Sequence, residues 1–135
     1  MNIPFQSDAL GKLVLRLTLG LLILLHGISK LMNPTGTLAF MSGLLTAAGF
    51  PAYLAYGVFV GEALAPLLII LGIYSRVGGL IVVINMVFAV LLAHSAQLFT
   101  LTKNGGWALE LQGFYLLTGL ALFFLGSGKI AVKPD

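Results

Sequence analysis

Residues Leu13 to Met32 read LVLRLTLGLLILLHGISKLM. Only Arg16, His26 and Lys30 are titratable; the rest are aliphatic, small or weakly polar. A helix of roughly 20 apolar residues, rising ~1.5 Å per residue, crosses the ~30 Å hydrocarbon core of a bilayer. Three further windows of this kind follow: Ala52 to Ile73, Val77 to Ala96 and Trp107 to Leu125. The expected fold is all-α, a polytopic membrane protein with a four-transmembrane-helix bundle, organised as one domain over residues 1–135. Each break has a local cause. Asn33-Pro34 stops the first span because proline cannot continue a helix. Ser75-Arg76 leaves a very short turn, and Asn104-Gly105-Gly106 interrupts the chain before the last span. The first span does not read as a cleavable signal peptide: its apolar run is too long, it contains Arg16 and Lys30, and no small-residue cleavage site follows.

Composition points the same way. The chain has 135 residues, of which 59% are apolar and 8% charged, and its mean hydropathy is +1.08. A soluble domain carries about a quarter charged residues, so a water-soluble monomer is excluded. Disorder is excluded by the abundance of large aliphatics. With no cysteine, the chain can form no disulfide, thiolate metal site or cysteine nucleophile. The net charge of +3 comes from single basic residues scattered between apolar runs, a topology signal rather than a nucleic-acid patch. Lys12, Arg16, Arg76, Lys129 and Lys133 flank one side, and Lys30 and Lys103 the other. Five against two predicts both termini in the cytoplasm. Within the long connection from Asn33 to Pro51, Thr37 to Ala48 (TLAFMSGLLTAA) predicts a short helix lying on the outer interface or capping the bundle.

Ionisable groups in hydrocarbon are expensive, at least ~2.5–3.5 kcal/mol each, and turn toward partners or a cavity. Here they are Arg16, His26, Lys30, Glu62, His94 and Glu110, with Asn85 and Gln112 as further polar groups. At ~1.5 Å per residue from each span's midpoint, His26 sits about 6 Å outward and Glu110 about 9 Å outward, while Arg16 lies about 9 Å inward. Glu62 and Asn85 fall near the midplane. At about 100° per residue, Arg16, His26 and Lys30 share an arc of roughly 80°, predicting one inward polar stripe. Gly57, Gly61 and Ala65 form a small-residue row beside Glu62, and Pro66 removes the donor to the carbonyl of Glu62. His94 lies about 180° round its helix from Asn85, so the two should not face one centre.

Three readings of this cluster compete. In one it is structural, with Arg16 or Lys30 neutralising Glu62 or Glu110. In the second it is a ligand site, where Arg16, His26, Lys30, Glu62, His94 and Glu110 surround an anionic or quinone-like oxygen headgroup and Phe40, Trp107, Phe114 and Tyr115 form walls. In the third, His26, Glu62, His94 and Glu110 bind a metal. No ligand pair at helical metal spacing is present, and Lys30, one turn from His26, repels a cation. Haem ligation by His26 and His94 is conceivable, but nothing in the sequence demands it.

The residues also resemble a family. LVLRLTLGLLILLHGISKL, with its arginine and HGxxK ending, looks like the first helix of the DoxX family. AGFPAYLAYGVFVGEALAPLLIILGIYSRVGGLIVVINMVFAVLLAH is similar to its second helix and following span. ELQGFYLLTGLALFFLGSGKIAV resembles its last helix. The resemblance runs over about Leu13 to Val132. It implies a small four-helix inner-membrane protein linked to redox functions, and it carries over Arg16, His26, Lys30, Glu62, Arg76, His94 and Glu110. Without cysteine, any thiol chemistry belongs to a partner or substrate. The expected function is a redox-associated membrane protein that binds a quinone or similar small molecule and works with a soluble or membrane-bound oxidoreductase. The alternatives are a membrane anchor whose buried charges are structural and, third, a small transporter. Glycine rows make a homo-oligomer plausible.

Overall fold

The computed structural model describes residues 5–135, which form helices and no strand. Helix α1 spans Asp8–Leu31, α2 Pro34–Ala47, α3 Ala52–Leu71, α4 Ser75–Ala93 and α5 Glu110–Leu125. The starts follow ordinary capping chemistry. Ser7 Oγ accepts from the Leu10 N–H at 3.2 Å, and Asp8 favours the positive end of α1. Asn33 Oδ1 accepts from the Gly36 N–H, with Pro34 just inside α2.

Helices α1, α3 and α4 are each long and apolar enough to cross a membrane. Helix α5 has 16 residues, about 24 Å at ~1.5 Å per residue. It is shorter than the stretch expected from Trp107, because Trp107 is held in a loop. Its indole N–H donates to the Leu98 carbonyl at 2.8 Å, and its backbone bridges to Leu101. Helix α1 begins at Asp8 rather than Leu13. Many large apolar side chains face outward, among them Leu25, Leu67, Leu91 and Leu117, the surface that a lipid environment favours and water does not.

The core gathers Leu19 and Ile23 of α1, Ala65 and Ile69 of α3, Val82 and Met86 of α4, and Tyr115 and Leu122 of α5. Glycines allow the closest approaches. Gly79 of α4 and Gly119 of α5 meet backbone to backbone: a Cβ on Gly79 would lie 2.6 Å from the Gly119 carbonyl oxygen, and one on Gly119 would lie 2.9 Å from that of Gly79. On the other side of the bundle, a Cβ on Gly27 of α1 would collide with the Glu62 carbonyl of α3.

Helix α3 is not uniform. It opens as a 3₁₀ segment at Ala52–Tyr56, passes through Gly57–Phe59, widens into a π-helix at Val60–Leu64 and finishes as α-helix over Ala65–Leu71. The widening sits directly before Pro66. Proline has no N–H to give the Glu62 carbonyl, so the ladder slips there instead of continuing with a gap.

One end of the bundle is tied together by arginines. The last four carbonyls of a helix have no partner within it, and at α3 every one is satisfied. Leu68 O accepts from the N–H groups of Gly72 and Ile73, and Leu71 O accepts from Val132 N–H. Ile69 O and Ile70 O accept from Arg16 Nε and Nη2 at 2.9 and 3.1 Å. Gly72 makes the turn at φ 75°, which glycine adopts freely. The same guanidinium donates through Nη1 to Ser127 O and Ile130 O at 3.0 and 2.6 Å. Arg76 repeats the device: its Nη1 donates to Phe123 O and Phe124 O at the end of α5. Asp135 completes this end, with Oδ2 accepting from Arg76 N–H in the first turn of α4 and Oδ1 from Ser127 N–H.

Candidate functional site

The opposite end of the bundle is hollow. A cavity of about 490 Å³ lies between α2, α3 and α4, with the last turn of α1 at its side. Phe40, Met41 and Leu44 of α2 form one wall, and Ile84 and Phe88 of α4 another. Its polar groups are four: Lys30, Glu62, Asn85 and His94. Volume and lining are those of a small-molecule pocket, mostly apolar with a few convergent polar atoms.

Each of the four is placed by a local feature. Glu62 lies inside the π-helix and is 7% exposed. Lys30 occupies the last turn of α1, where a cation is favoured by the helix dipole. The glycine at position 27 lets α1 press against α3 at the Glu62 carbonyl, which brings the Lys30 ammonium onto Glu62 Oε1 as an ion pair. Gly61 does the same on the other flank: its Cα faces the Asn85 side chain, where a Cβ would collide. Asn85 Nδ2 thereby donates to Glu62 Oε2 at 3.3 Å. Both carboxylate oxygens thus have a donor, as a charge this deeply placed requires. Thr37 Oγ1 donates to the Lys30 carbonyl at 3.2 Å and fastens the start of α2 beside the pair.

His94 lines the same cavity as Asn85, against the expectation from helical angle. That expectation assumed an unbroken helix to Ala96, whereas α4 ends at Ala93. His94 has left the helix with φ −132° and ψ 14°, and its Nδ1 pairs with Gln97 Oε1 at 2.9 Å.

The structure gathers Lys30, Glu62 and His94 around one space and leaves the other three candidates elsewhere. Arg16 is 1% exposed at the far end, its guanidinium occupied by four carbonyls. His26 is exposed, with its ring edge-on to Tyr115 at a centroid distance of 6.1 Å. The expected inward stripe of α1 therefore divides: Arg16 faces in and Lys30 is half-buried, while His26 faces out. Glu110 is exposed in a separate groove that includes Trp107 and Phe114. Phe40 is a cavity wall, whereas Tyr115 belongs to the core. Among the described residues no three His, Cys, Asp or Glu side chains come together at a metal-binding spacing, so the metal arrangement of His26, Glu62, His94 and Glu110 is not formed. His26 lies outside the cavity that His94 lines, which also removes a haem held between them.

Sequence reasoning marked Asn85 as polar within a span but did not include it among the candidates. A buried Asn beside a glycine of the next helix is the signal that would have placed it there. The contribution of α2 to the wall carries no such signal, since Phe40 and Leu44 look like any apolar residue of a short helix.

The DoxX family model matches residues 11–95, the stretch that supplies α1 to α4 and all four polar groups of the cavity. The chain is 27% identical over 129 residues to a Bacillus subtilis protein named "Putative oxidoreductase CatD", covering 96% of this chain and 89% of that one. It is 33% identical over 122 residues to an uncharacterized protein of Haemophilus influenzae, covering 87% and 84% respectively. No solved structure matches. With long apolar helices for repeated membrane crossing and the family pattern extending over most of its length, this chain is a multi-pass membrane protein that belongs to the DoxX family.

Proposed function

We propose that the chain is a redox-associated protein of the inner membrane that binds a quinone or a similar neutral oxygen-bearing ring in the cavity and works beside a partner oxidoreductase. In this reading α5 is a fourth span, α2 lies at the outer interface and both termini are cytoplasmic. The observation that carries it is the Lys30–Glu62–Asn85 cluster opening into an apolar cavity of about 490 Å³. The volume lies within the ~300–1,000 Å³ range of small-molecule sites.

Charge bookkeeping favours a neutral headgroup over an anion. Lys30 is the cation at the cavity, and Glu62 already neutralises it, so an incoming carboxylate would compete with Glu62. Lys30 and Asn85 donate hydrogen bonds to a ligand oxygen, Glu62 exchanges protons with it, and His94 relays them at the rim. A bound quinone supplies the two-electron chemistry that this chain's own side chains lack. The oxidoreductase name of the Bacillus relative supports the redox assignment.

The test is direct binding. Protein purified in detergent is titrated with a short-chain quinone and, separately, with a fatty acid, following ligand-induced thermal stabilisation. Stabilisation by the quinone and not by the fatty acid is expected, weakened about tenfold or more in Glu62→Gln, as for a lost buried charged hydrogen bond. Equal melting curves with and without quinone would overturn the reading. The rival is a membrane anchor whose charges only hold helices together, and Arg16 favours it by showing that one buried charge here does just that.

A further inference from the structure

A second feature is independent of what the cavity binds. Along the seam of α1 and α5 runs an open groove of about 410 Å³, lined by Leu15 on α1 and by Glu110, Phe114, Leu117 and Ala121 on α5. His26 lies eleven positions after Leu15, within about 20° of it around the helix at 100° per residue. Its ring rests on Tyr115, five positions after Glu110. An imidazole and a carboxylate therefore sit toward the same end of one seam, on an apolar face. Both residues are exposed. Among the described residues neither side chain has an ion-pair or hydrogen-bond partner.

Polar groups at membrane depth turn to partners, and this face offers them none. A lipid chain would fill the apolar groove between Phe114 and Ala121 but leave acid and base unmatched. A single face carrying one acid and one base is complementary to itself, because a two-fold axis sets each against its opposite. We propose that the α1–α5 face seats a second copy of this chain about such an axis, with His26 meeting the partner's Glu110 and Glu110 meeting the partner's His26. The apolar stripe of Phe114, Leu117 and Ala121 lies between the two pairs.

The chain contains no cysteine, so introduced thiols report without background. Single variants Phe114→Cys, Leu117→Cys and Ala121→Cys test the face. Val87→Cys and Leu91→Cys, exposed on α4, serve as controls. Under mild oxidation in native membranes, at least one α5 position is expected to form a covalent dimer and neither control should. Adding His26→Ala or Glu110→Gln to that variant is expected to lower the dimer yield about tenfold, the weight of an interhelical polar contact in a membrane. Exchanging the two residues, His26→Glu with Glu110→His, should restore it. Both positions are exposed, and unchanged melting curves of the variants keep the loss of dimer distinct from loss of fold. Dimer yield equal on α4 and α5, absent from all three α5 positions, or indifferent to His26 and Glu110 would overturn the proposal, the last two outcomes leaving the groove to lipid.

Discussion

The two ends of this bundle treat a buried charge in opposite ways. At one end Arg16 meets only backbone carbonyls: two at the close of α3 and two in the tail, with a glycine turn packed on its Nη2. Its partners cannot titrate and no cavity adjoins it. At the other end Lys30 meets a carboxylate, beside a cavity large enough for a small molecule. A charge held by fixed dipoles with every donor used is a fastener. A charge held by another titratable group at the edge of open space is available for chemistry. The difference cannot be read from residue type, since both are single cations in one helix, fourteen positions apart.

Substitutions can break or sharpen this contrast, beginning with the greatest effect. Arg16→Leu should be the most damaging change, leaving up to four buried carbonyls unsatisfied. At ~1–3 kcal/mol for each buried group left without a partner, with partial relief from water at the tail, a loss of about 3–5 kcal/mol is expected. Chemical unfolding in detergent measures it, and Arg16→Lys should rescue little because an ammonium lacks the fork that spans both strands of carbonyls. Should Glu62→Leu prove equally damaging, the distinction between the ends fails.

Gly27→Ala comes next. Its methyl would meet the Glu62 carbonyl and push α1 from α3, costing about 1–3 kcal/mol as overpacking and separating Lys30 from Glu62. Melting temperature and quinone affinity should fall together. Glu62→Gln keeps the shape and the Asn85 contact but removes one charge, so a stability change of about 1 kcal/mol is expected, with a much larger relative loss in ligand binding. The smallest effect belongs to Asp135→Asn, which weakens a helix-start acceptor at Arg76 and should cost about 0.5–1 kcal/mol. Its ligand affinity should be that of the unaltered chain, since the change lies at the fastening end.

Much of the architecture was legible because hydrocarbon is a demanding solvent. Apolar runs of span length, broken at Asn33-Pro34 and near Ser75-Arg76, return as α1, α3 and α4. The cost of burying charge picked out Arg16, Lys30 and Glu62 before any coordinates, and all three do have partners. Less legible was α5, whose expected first turn is consumed by the Trp107 loop. His26 also went astray, since an arc of 80° on a helix contains both the edge of the buried face and the edge of the exposed one.

From sequence alone came the helical class, the membrane setting and the short roster of polar groups, because hydrophobicity and helix-breaking chemistry act locally along the chain. Which cation is a clamp and which borders a cavity was decided only by folding. That choice rests on contacts between residues far apart in the chain: the carbonyls that Ile69, Ile70, Ser127 and Ile130 offer Arg16, and the close approach that Gly27 and Gly61 allow around Glu62.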